Sequence, residues 1–311
     1  MPIDLKPLQN ERRLLLEAEL KPVQGKRFQP TGFPDLGPAT YQAEGTSCLL
    51  VESAQSMANR MEETIWDAGA NQPIEAAKGI SYVAVNDING EYLTSSITEA
   101  HRINSPYMLK SKDKTFHDAL KADLEVTESG PIDRKAFCES LLKYDINSLL
   151  HGVFLAQSSL AGGRLRLARA ISAFIEAERV ETAASGGVKN DHVDPSGEAK
   201  SGFGNIPFHR EEFTAGKITA FFSVDLQQIR SYGLGEDVTQ LLIVLALYKI
   251  RRLLDGDMRL RTACDFEAKT ISTQRPTGFE LPTEADLADS LQAAIKKCSK
   301  VMQTTTAVYE K

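Results

Sequence analysis

The sequence predicts an α+β fold, arranged as one large domain with insertions or as two smaller domains. Three observations support this prediction. A short apolar strand at residues 48–51 turns directly into an amphipathic helix. Two strand-like runs flank Asn89-Gly90, a dipeptide typical of β-hairpin turns. Towards the C-terminus, strands at residues 217–226 and 258–266 flank a long apolar helix at residues 237–254.

The first segments of the chain are a leucine-rich stretch and a stiff loop. Residues 5–20 alternate charged residues with leucines, which fits a short helix or an entry strand. Residues 25–38 have the sequence GKRFQPTGFPDLGP, in which three prolines and three glycines fix turns. Arg27 beside Phe28 on such a loop has the chemistry to hold a phosphate and stack a base. Phe28 and Phe33 could equally fill the core, and the sequence leaves both interpretations open.

The central element is the strand–helix unit at residues 49–67, LLVESAQSMANRMEETIWD. Ser53 suits the N-cap, where its hydroxyl can accept a hydrogen bond from a free amide of the first turn. One helix face is apolar and consists of Ala54, Met57, Ala58, Met61 and Ile65. The opposite face is polar and consists of Gln55, Ser56, Asn59 and Arg60. Amides, a hydroxyl and one guanidinium can form hydrogen bonds with phosphate oxygens and sugar hydroxyls, so we expect this face to contact a nucleic-acid backbone. The alternative is an ordinary solvent-exposed helix face.

The middle of the chain combines a hairpin with a helical insertion. Strands are predicted at residues 81–85 and 91–97, with His101 and Arg102 near the end of the second strand. A single histidine is more often structural than a ligand, and no second histidine stands at metal-binding spacing. Residues 110–145 look like an insertion with helices at 113–122 and 133–144. Residues 165–182 favour a strand because glycine pairs bracket them and Ile, Val and Phe are frequent.

Residues 185–210, SGGVKNDHVDPSGEAKSGFGNIPFHR, differ from their surroundings. Glycine and proline are dense and apolar residues are few, which predicts a long hairpin or loop that projects from the body. Phe203 and Phe208 are candidates to wedge against bases, with Lys189 and His192 near phosphate. A surface loop without a partner is the alternative.

Without the insertions, the predicted order of elements contains two strand–helix–strand units. That plan is typical of a ferredoxin-like core of the RNA-recognition type, here followed by an amphipathic helix at residues 287–298. The aromatic signature of that RNA-binding module is missing, so the predicted fold alone does not predict the function.

Composition places the chain among ordinary globular proteins. Its 311 residues are 42% hydrophobic and 25% charged, and the formal net charge of −6 argues mildly against nucleic-acid binding. The charge is segregated, however, because residues 249–261 hold five basic and two acidic residues. No stretch has the length of a membrane span, and the N-terminus lacks a signal-peptide layout. Four widely spaced cysteines indicate reduced thiols and a cytoplasmic protein.

Several motifs resemble a CRISPR-associated family. They are RFQPTGFPDLGPATY (27–41), LLVESAQSMANRMEETIWD (49–67), EAHRINSPYML (99–109), SLLHGVFLAQSSLAGGRLRLARAISAFIEAERV (148–180) and LRTACDF (260–266). The sequence resembles the Cas-seven-type backbone subunit, within the RAMP superfamily, of type I-U (also called I-G) CRISPR effector complexes. The resemblance covers nearly the whole chain.

The resemblance implies a single hand-shaped domain with a ferredoxin-like (RRM-like) palm. The palm would comprise residues 1–105, 148–184 and 214–311, the helical finger insertion residues 106–147, and the projecting thumb hairpin residues 185–213. Several copies would stack head to tail along the spacer of a CRISPR RNA, within a Cascade complex with other subunits. Each thumb would displace a base, so that the guide is presented to target DNA in short segments.

The resemblance also implies a site without catalytic residues, metal or cofactor. Together with the residue chemistry above, it gives these candidate RNA-binding residues: Arg27, Phe28, Gln29, Thr31, Gln55, Ser56, Asn59, Arg60, His101, Arg102, Arg164, Lys189, His192 and Phe203.

An endoribonuclease is the alternative function, since other RAMP proteins cleave RNA. Its general bases would come from His101, His151, His192 and His209, and a metal-assisted site from Asp191 or Asp194. The sequence offers no arranged pair among these residues. A metabolic enzyme is less favoured still, because no cofactor fingerprint is present.

Overall fold

The computed structural model describes residues 3–33, 35–124 and 131–311, and its mixture of strands and helices confirms the predicted α+β fold. The strands are β1 (Leu14–Pro22), β2 (Gly32–Phe33), β3 (Gly37–Pro38), β4 (Thr40–Ala43), β5 (Thr46–Glu52), β6 (Trp66–Asp67), β7 (Gln72–Pro73), β8 (Tyr82–Asn86), β9 (Tyr92–Ser95), β10 (Val153–Leu155), β11 (Leu165–Leu167), β12 (Ile171–Glu178), β13 (Glu181–Lys189), β14 (Ile206–Thr214), β15 (Lys217–Val224), β16 (Met258–Arg261), β17 (Cys264–Arg275) and β18 (Thr304–Val308). The helices are α1 (Ala54–Glu63), α2 (Pro106–Leu109), α3 (Thr115–Leu124), α4 (Arg134–Tyr144), α5 (Ile146–His151), α6 (Leu226–Ser231), α7 (Glu236–Asp255) and α8 (Glu284–Cys298).

A seven-stranded antiparallel sheet is the centre of the molecule, with the strand order β16-β17-β1-β15-β12-β5-β4. Burial alternates strictly along β1 from Leu14 to Leu20 and along all of β12, so one sheet face is covered. The helices α1 and α5 pack on β12, and α7 packs on β16 and β17. The core therefore lies between the sheet and this helical layer.

Helix α7 is buried on nearly all sides, as its apolar sequence predicted. It lies between the sheet and α8, and every residue from Leu241 to Ile250 is buried. This run includes Lys249, which is fully buried. The predicted basic stretch at 249–261 therefore does not begin at the surface.

Two strands near the C-terminus differ from the prediction. The predicted strand at residues 258–266 is two strands, β16 and β17, which pair as a hairpin through a turn at Ala263 with φ of 58°. No glycine or asparagine marks that turn, which is why sequence patterning missed it. The unpredicted strand β18 pairs in parallel with β8, beside the correctly predicted β8–β9 hairpin.

Two further segments complete the molecule: one packs against the core through buried residues such as Phe116 and Phe137, and the other projects from it. The helices α2, α3 and α4 follow one another between β9 and α5, and residues 125–130 of this stretch lie outside the described residues. The strands β13 and β14 form an antiparallel hairpin from Glu181↔Thr214 to Lys189↔Ile206. Most residues of both strands are exposed, so the hairpin projects from the body.

Candidate nucleic-acid interface

Helix α1 presents two neighbouring amides to solvent. The Ser53 hydroxyl accepts a hydrogen bond from the Ser56 amide (3.3 Å) and caps the helix as predicted. Met57, Ala58 and Met61 are buried against the core, whereas Gln55 and Asn59 are exposed one turn apart. These two side chains form the amide strip, the accessible part of the predicted polar face.

The rest of that polar face is committed to contacts within the protein. Ser56 Oγ donates to the buried carboxylate of Glu52, and Arg60 donates to the Leu260 carbonyl of β16. The Arg60 Nε also lies 4.0 Å from Glu52 Oε1, and Arg261 forms an ion pair with the same carboxylate. Ser56 thus ties α1 to the end of β5 and Arg60 ties it to β16, so neither side chain is free in this structure, and RNA contact by them stays a prediction.

The loop before α1 is anchored through its backbone. The Phe28 amide donates to the Phe213 carbonyl and the Phe213 amide to the Phe28 carbonyl, both at 2.9 Å. The Phe28 ring is buried with 1% exposure and meets Phe266 edge-on at 5.5 Å, so it fills the core and is not available to stack a base. Arg27 is exposed, and its Nη1 lies 3.4 Å from Glu212 Oε2 at the hairpin base.

The half-buried Gln29 and Thr31 lie beside the start of α1. The Gln29 amide donates to the Ala263 carbonyl (2.8 Å), and its own carbonyl accepts from Arg261 (3.0 Å). The Thr31 amide donates to the Val51 carbonyl (2.9 Å). Arg261, which the sequence had not suggested as a site residue, thus ties the loop to the strand that leads into α1.

Arg102 is a structural residue in this fold. Its Nε and Nη2 donate to the two carboxylate oxygens of Glu62, each at 2.7 Å, and the residue is only 7% exposed. The prediction of a free RNA ligand at Arg102 is corrected, because this bidentate pair occupies the fork of the guanidinium. His101, the neighbouring candidate, is exposed and immediately precedes the short 3-10 helix Arg102–Asn104.

A buried polar cluster lies behind this ion pair. Lys249 Nζ donates to Asn147 Oδ1 and lies 2.9 Å from His151 Nε2. Burial lowers the pKa of Lys249 to about 7 and the pKa of His151 well below its usual range. Burial raises the pKa of Asp145 to about 6 and also raises that of Glu62, against the opposing effect of Arg102. The cluster therefore fastens α5 to α7 at a cost in solvation.

The lowered pKa of Lys249 predicts a pH-dependent stability. Between a folded pKa of about 7 and an unfolded value of about 10.4, only the unfolded chain keeps the proton, so stability rises with pH. Below pH 7 both states are protonated and this contribution is flat. We expect the free energy of unfolding of the parent, minus that of Lys249→Met, to rise above pH 7 by up to about 1.4 kcal/mol per pH unit. Urea unfolding of both proteins across this pH range measures this difference. If the two free energies of unfolding change with pH in parallel, Lys249 is not uncharged in the folded protein.

Most arginines of the predicted basic stretch are neutralised. Arg251 pairs with Asp255 at 2.8 Å, Arg252 with Glu284 at 2.5 Å, and Arg259 lies 3.8 Å from Asp265. The stretch is thus a set of ion pairs and does not form a basic patch.

A different set of arginines lines an open groove of about 560 Å³ beside α1. Its lining includes Arg134, Arg166 and Arg169, together with Gly152 and the edge of the buried His151. The motif at residues 148–180 contains most of this basic groove, but the sequence patterns did not single out Arg134, Arg166 or Arg169, because they come from separate segments of the chain. Arg164 lies next to it and donates to the Ala161 carbonyl at 2.9 Å.

The β13–β14 hairpin carries the remaining candidates on an ordered tip. The Asp191 carboxylate accepts from the amides of Val193, Asp194 and Gly204, which holds its pKa below the usual range. Three candidate residues are exposed on this hairpin: Lys189, His192 and Phe203. They extend away from the body and do not join the amide strip.

The residues proposed for cleavage do not come together as a metal site. Within the described residues, no group of three or more His, Cys, Asp or Glu side chains could hold a metal ion. His151 is buried against Lys249, His101 lies in a surface turn, and His192 and His209 belong to the hairpin. Asp191 organises the backbone of the hairpin tip.

Comparisons with known structures give weak similarities. A chain of a "CRISPR RNA-guided surveillance complex, pre-nicking" is 13% identical, with a TM-score of 0.43 over 93% of this chain and 89% of that one. Csc2 of Thermofilum pendens is 10% identical, with a TM-score of 0.35 over 96% and 80%. A chain of another "CRISPR RNA-guided surveillance complex" is 13% identical, with a TM-score of 0.32 over 77% and 71%.

A comparison with curated proteins found no match. No helix among the described residues combines the length and apolar character needed to cross a membrane.

The sequence itself carries the family assignment. Residues 14–182, more than half of the chain, match the model of the family described as CRISPR-associated protein GSU0053, and this confirms the Cas-seven-type resemblance of the motifs. The chain belongs to this CRISPR-associated family.

Proposed function

We propose that this protein is the CRISPR RNA-binding backbone subunit of a type I-U/I-G Cascade complex. The observation that carries the proposal is the amide strip of α1, where Gln55 and Asn59 stay exposed while ion pairs hold the helix on both flanks. Amides can donate to phosphate oxygens and 2′-hydroxyls without reading a base, as a guide of variable sequence requires.

The strand order supports a ferredoxin-like palm. Within the large sheet, β17, β1, β15 and β12 are adjacent and antiparallel, and α7 connects β15 to the β16–β17 hairpin. That is the 4-1-3-2 order of the ferredoxin-like plan with long insertions. We assign the finger to residues 106–147, of which 125–130 lie outside the described residues, and the thumb to residues 185–213.

In this proposal several copies stack head to tail along the spacer of the guide, and each thumb reaches the neighbouring copy. The assembled guide then pairs with target DNA in the cytoplasm, together with other Cascade subunits. We assign no catalytic step to this chain, because its candidate histidines are dispersed or buried. Incubation of the protein with RNA and Mg²⁺ tests this point: cleavage that is abolished by substituting one of the exposed candidates, such as His192 or His209, by alanine would favour the endoribonuclease alternative.

Removing the amide strip should weaken RNA binding without unfolding the protein. We expect Gln55→Ala/Asn59→Ala to lose about 1–3 kcal/mol of binding free energy, because each amide supplies about one net hydrogen bond. Exposed substitutions of this kind shift stability by only about 0.5 kcal/mol. Titration of labelled single-stranded RNA, together with a thermal melt, measures both quantities.

Gln292→Ala on α8 is the matched control, since Gln292 is also an exposed helical amide and its side chain donates to the Glu75 carbonyl (2.6 Å). It should bind RNA as the parent does. The parent itself should bind RNAs of different sequence equally and lose affinity steeply with salt. Equal affinity of the double variant and the control would refute the assignment of α1.

Shortening the thumb should abolish assembly while leaving the fold intact. We expect replacement of residues 188–207 by a short Gly-Ser linker to leave the thermal midpoint nearly unchanged, because the removed side chains, such as Val193 (96% exposed) and Phe203 (56%), pack little. Without the tip, no ordered filament should form on long RNA in electron micrographs. Ile88→Ser at another exposed hairpin is the control, and filaments formed by the shortened protein would show that the thumb assignment is wrong.

A further inference from the structure

The basic groove beside α1 has walls of a single charge. Four of its lining residues are arginines, namely Arg102, Arg134, Arg166 and Arg169, and no carboxylate belongs to the described residues that line it. The charge stands out because the whole chain is acidic, with a net charge of −6. A one-sign concave surface of this kind concentrates anions.

Three of these positive charges have no acid within ion-pairing distance among the described residues. Arg102 is matched by Glu62, whereas Arg134, Arg166 and Arg169 form no salt bridge within the described part of the chain. The pKa of Arg169 is lowered by partial burial and by the nearby Arg102, so an anion in the groove would relieve this repulsion. The groove is therefore prepared for a negatively charged ligand.

An aromatic ring stands beside this charge. In the two-stranded ribbon β10–β11, Phe154 is directly opposite Arg166, and both point to solvent. The inward residues of the same ribbon, such as Val153 and Leu167, are buried. Phe154 is 54% exposed, an uncommon position for a phenylalanine that the core could have used. A ring next to a guanidinium offers a stacking surface for a base beside a clamp for its phosphate.

The groove lies next to the helix that carries the amide strip. Arg169 lines the groove, and its Nη1 donates to the carbonyl of Ala54, the first residue of α1, at 3.1 Å. Gln55 is the next residue along the helix. Arg169 therefore links the groove to the end of the helix that carries the amide strip.

We propose that the basic groove binds the phosphodiester backbone of single-stranded RNA, with Arg134, Arg166 and Arg169 as phosphate ligands and Phe154 as a stacking platform for an adjacent base. The proposal rests on the proposed function, because the bound strand is the guide. It extends the RNA path from α1 across the β10–β11 ribbon.

The test compares salt-dependent RNA affinities. Arg134→Gln/Arg166→Gln removes two exposed charges and leaves Arg102 and the Arg169–Ala54 bond intact. We expect at least about a ten-fold loss of affinity for labelled single-stranded RNA at moderate salt. The slope of log affinity against log salt should fall by about 1.4, since each single-strand phosphate contact contributes about 0.7. Phe154→Ala should lower affinity at least about five-fold and leave the slope unchanged.

Lys296→Gln/Lys300→Gln is the charge-matched control, because both lysines are exposed, one in the last turn of α8 and the other just after it. Thermal melts of all variants show that each is folded. If the arginine pair binds RNA with the affinity and salt slope of the lysine pair, the groove proposal is overturned. The same holds if the arginine pair weakens binding of single-stranded DNA of the same sequence but not of RNA.

The Gln55→Ala/Asn59→Ala variant separates this result from the proposed function. If that variant loses affinity while Arg134→Gln/Arg166→Gln binds RNA as the parent does, the groove proposal alone is overturned. A parent protein that binds no RNA would overturn both.

Discussion

Replacing Arg102 by methionine is expected to lower the free energy of unfolding by about 3–5 kcal/mol. The substitution leaves the Glu62 carboxylate, 3% exposed, without its bidentate partner, and an uncompensated buried charge costs about this much. Chemical denaturation of the parent and the variant measures the loss directly.

The double variant Glu62→Met/Arg102→Met distinguishes a lost partner from lost packing. It removes both charges, and buried ion pairs are often replaced by apolar residues at little net cost. We expect it to be more stable than Arg102→Met alone, while the exposed neighbour His101→Ala should differ from the parent by about 0.5 kcal/mol or less. An Arg102→Met variant with parental stability would return Arg102 to the list of RNA ligands.

Gly152→Ala is the second substitution with a large expected effect, a loss of about 3 kcal/mol or more. Gly152 has φ of 77° and ψ of 161°, a region that side chains avoid. An added Cβ would also lie 2.7 Å from the Leu167 carbonyl oxygen and 3.0 Å from the Arg169 amide nitrogen, which are backbone atoms that cannot turn aside. Relief of this clash must move the end of β11 and the residues after it, which carry Arg166 and Arg169, so RNA affinity should fall together with stability.

Gly45→Ala isolates the contribution of the backbone angle. Gly45 has a similar φ of 78°, but an added Cβ would have no atom of the described residues within 4 Å. We expect about 1 kcal/mol for this control, the ordinary cost of a left-handed alanine, and parental RNA affinity per folded molecule. Equal losses in the two variants would show that the close approach at Gly152 is unimportant.

Local patterns in the sequence predicted the local structure well. The Ser53 cap, the apolar face of α1 and the Asn89-Gly90 turn each depend on residues within one or two turns of backbone, so spacing alone determines them. The long apolar helix was equally predictable, because burial on both sides leaves a continuous apolar run.

Partners distant in sequence were beyond such patterns. Arg102 bonds a carboxylate 40 residues away and Arg261 a carbonyl 232 residues away, so neither could be distinguished from a surface arginine by its neighbours. The basic groove was missed for the same reason, since α4 and β11 each contribute single arginines to it. The exposed Phe154 within an otherwise buried strand was the one signal available, and it requires the strand to be recognised first.

The backbone exchange between Phe28 and Phe213 has a consequence for how the hairpin can vary. Two main-chain hydrogen bonds and the buried Phe28 ring set the direction in which β13–β14 leaves the body, whereas the tip is held by Asp191 and its own amides. The direction of the hairpin and the conformation of its tip therefore depend on different contacts. Backbone hydrogen bonds at the base determine the direction, and local side chains determine the tip. Insertions, deletions or a different tip sequence beyond Gly187 and Phe208 should therefore leave the direction of the hairpin unchanged. The tip is the part of the hairpin where the chain can change length without disturbing the fold of the body.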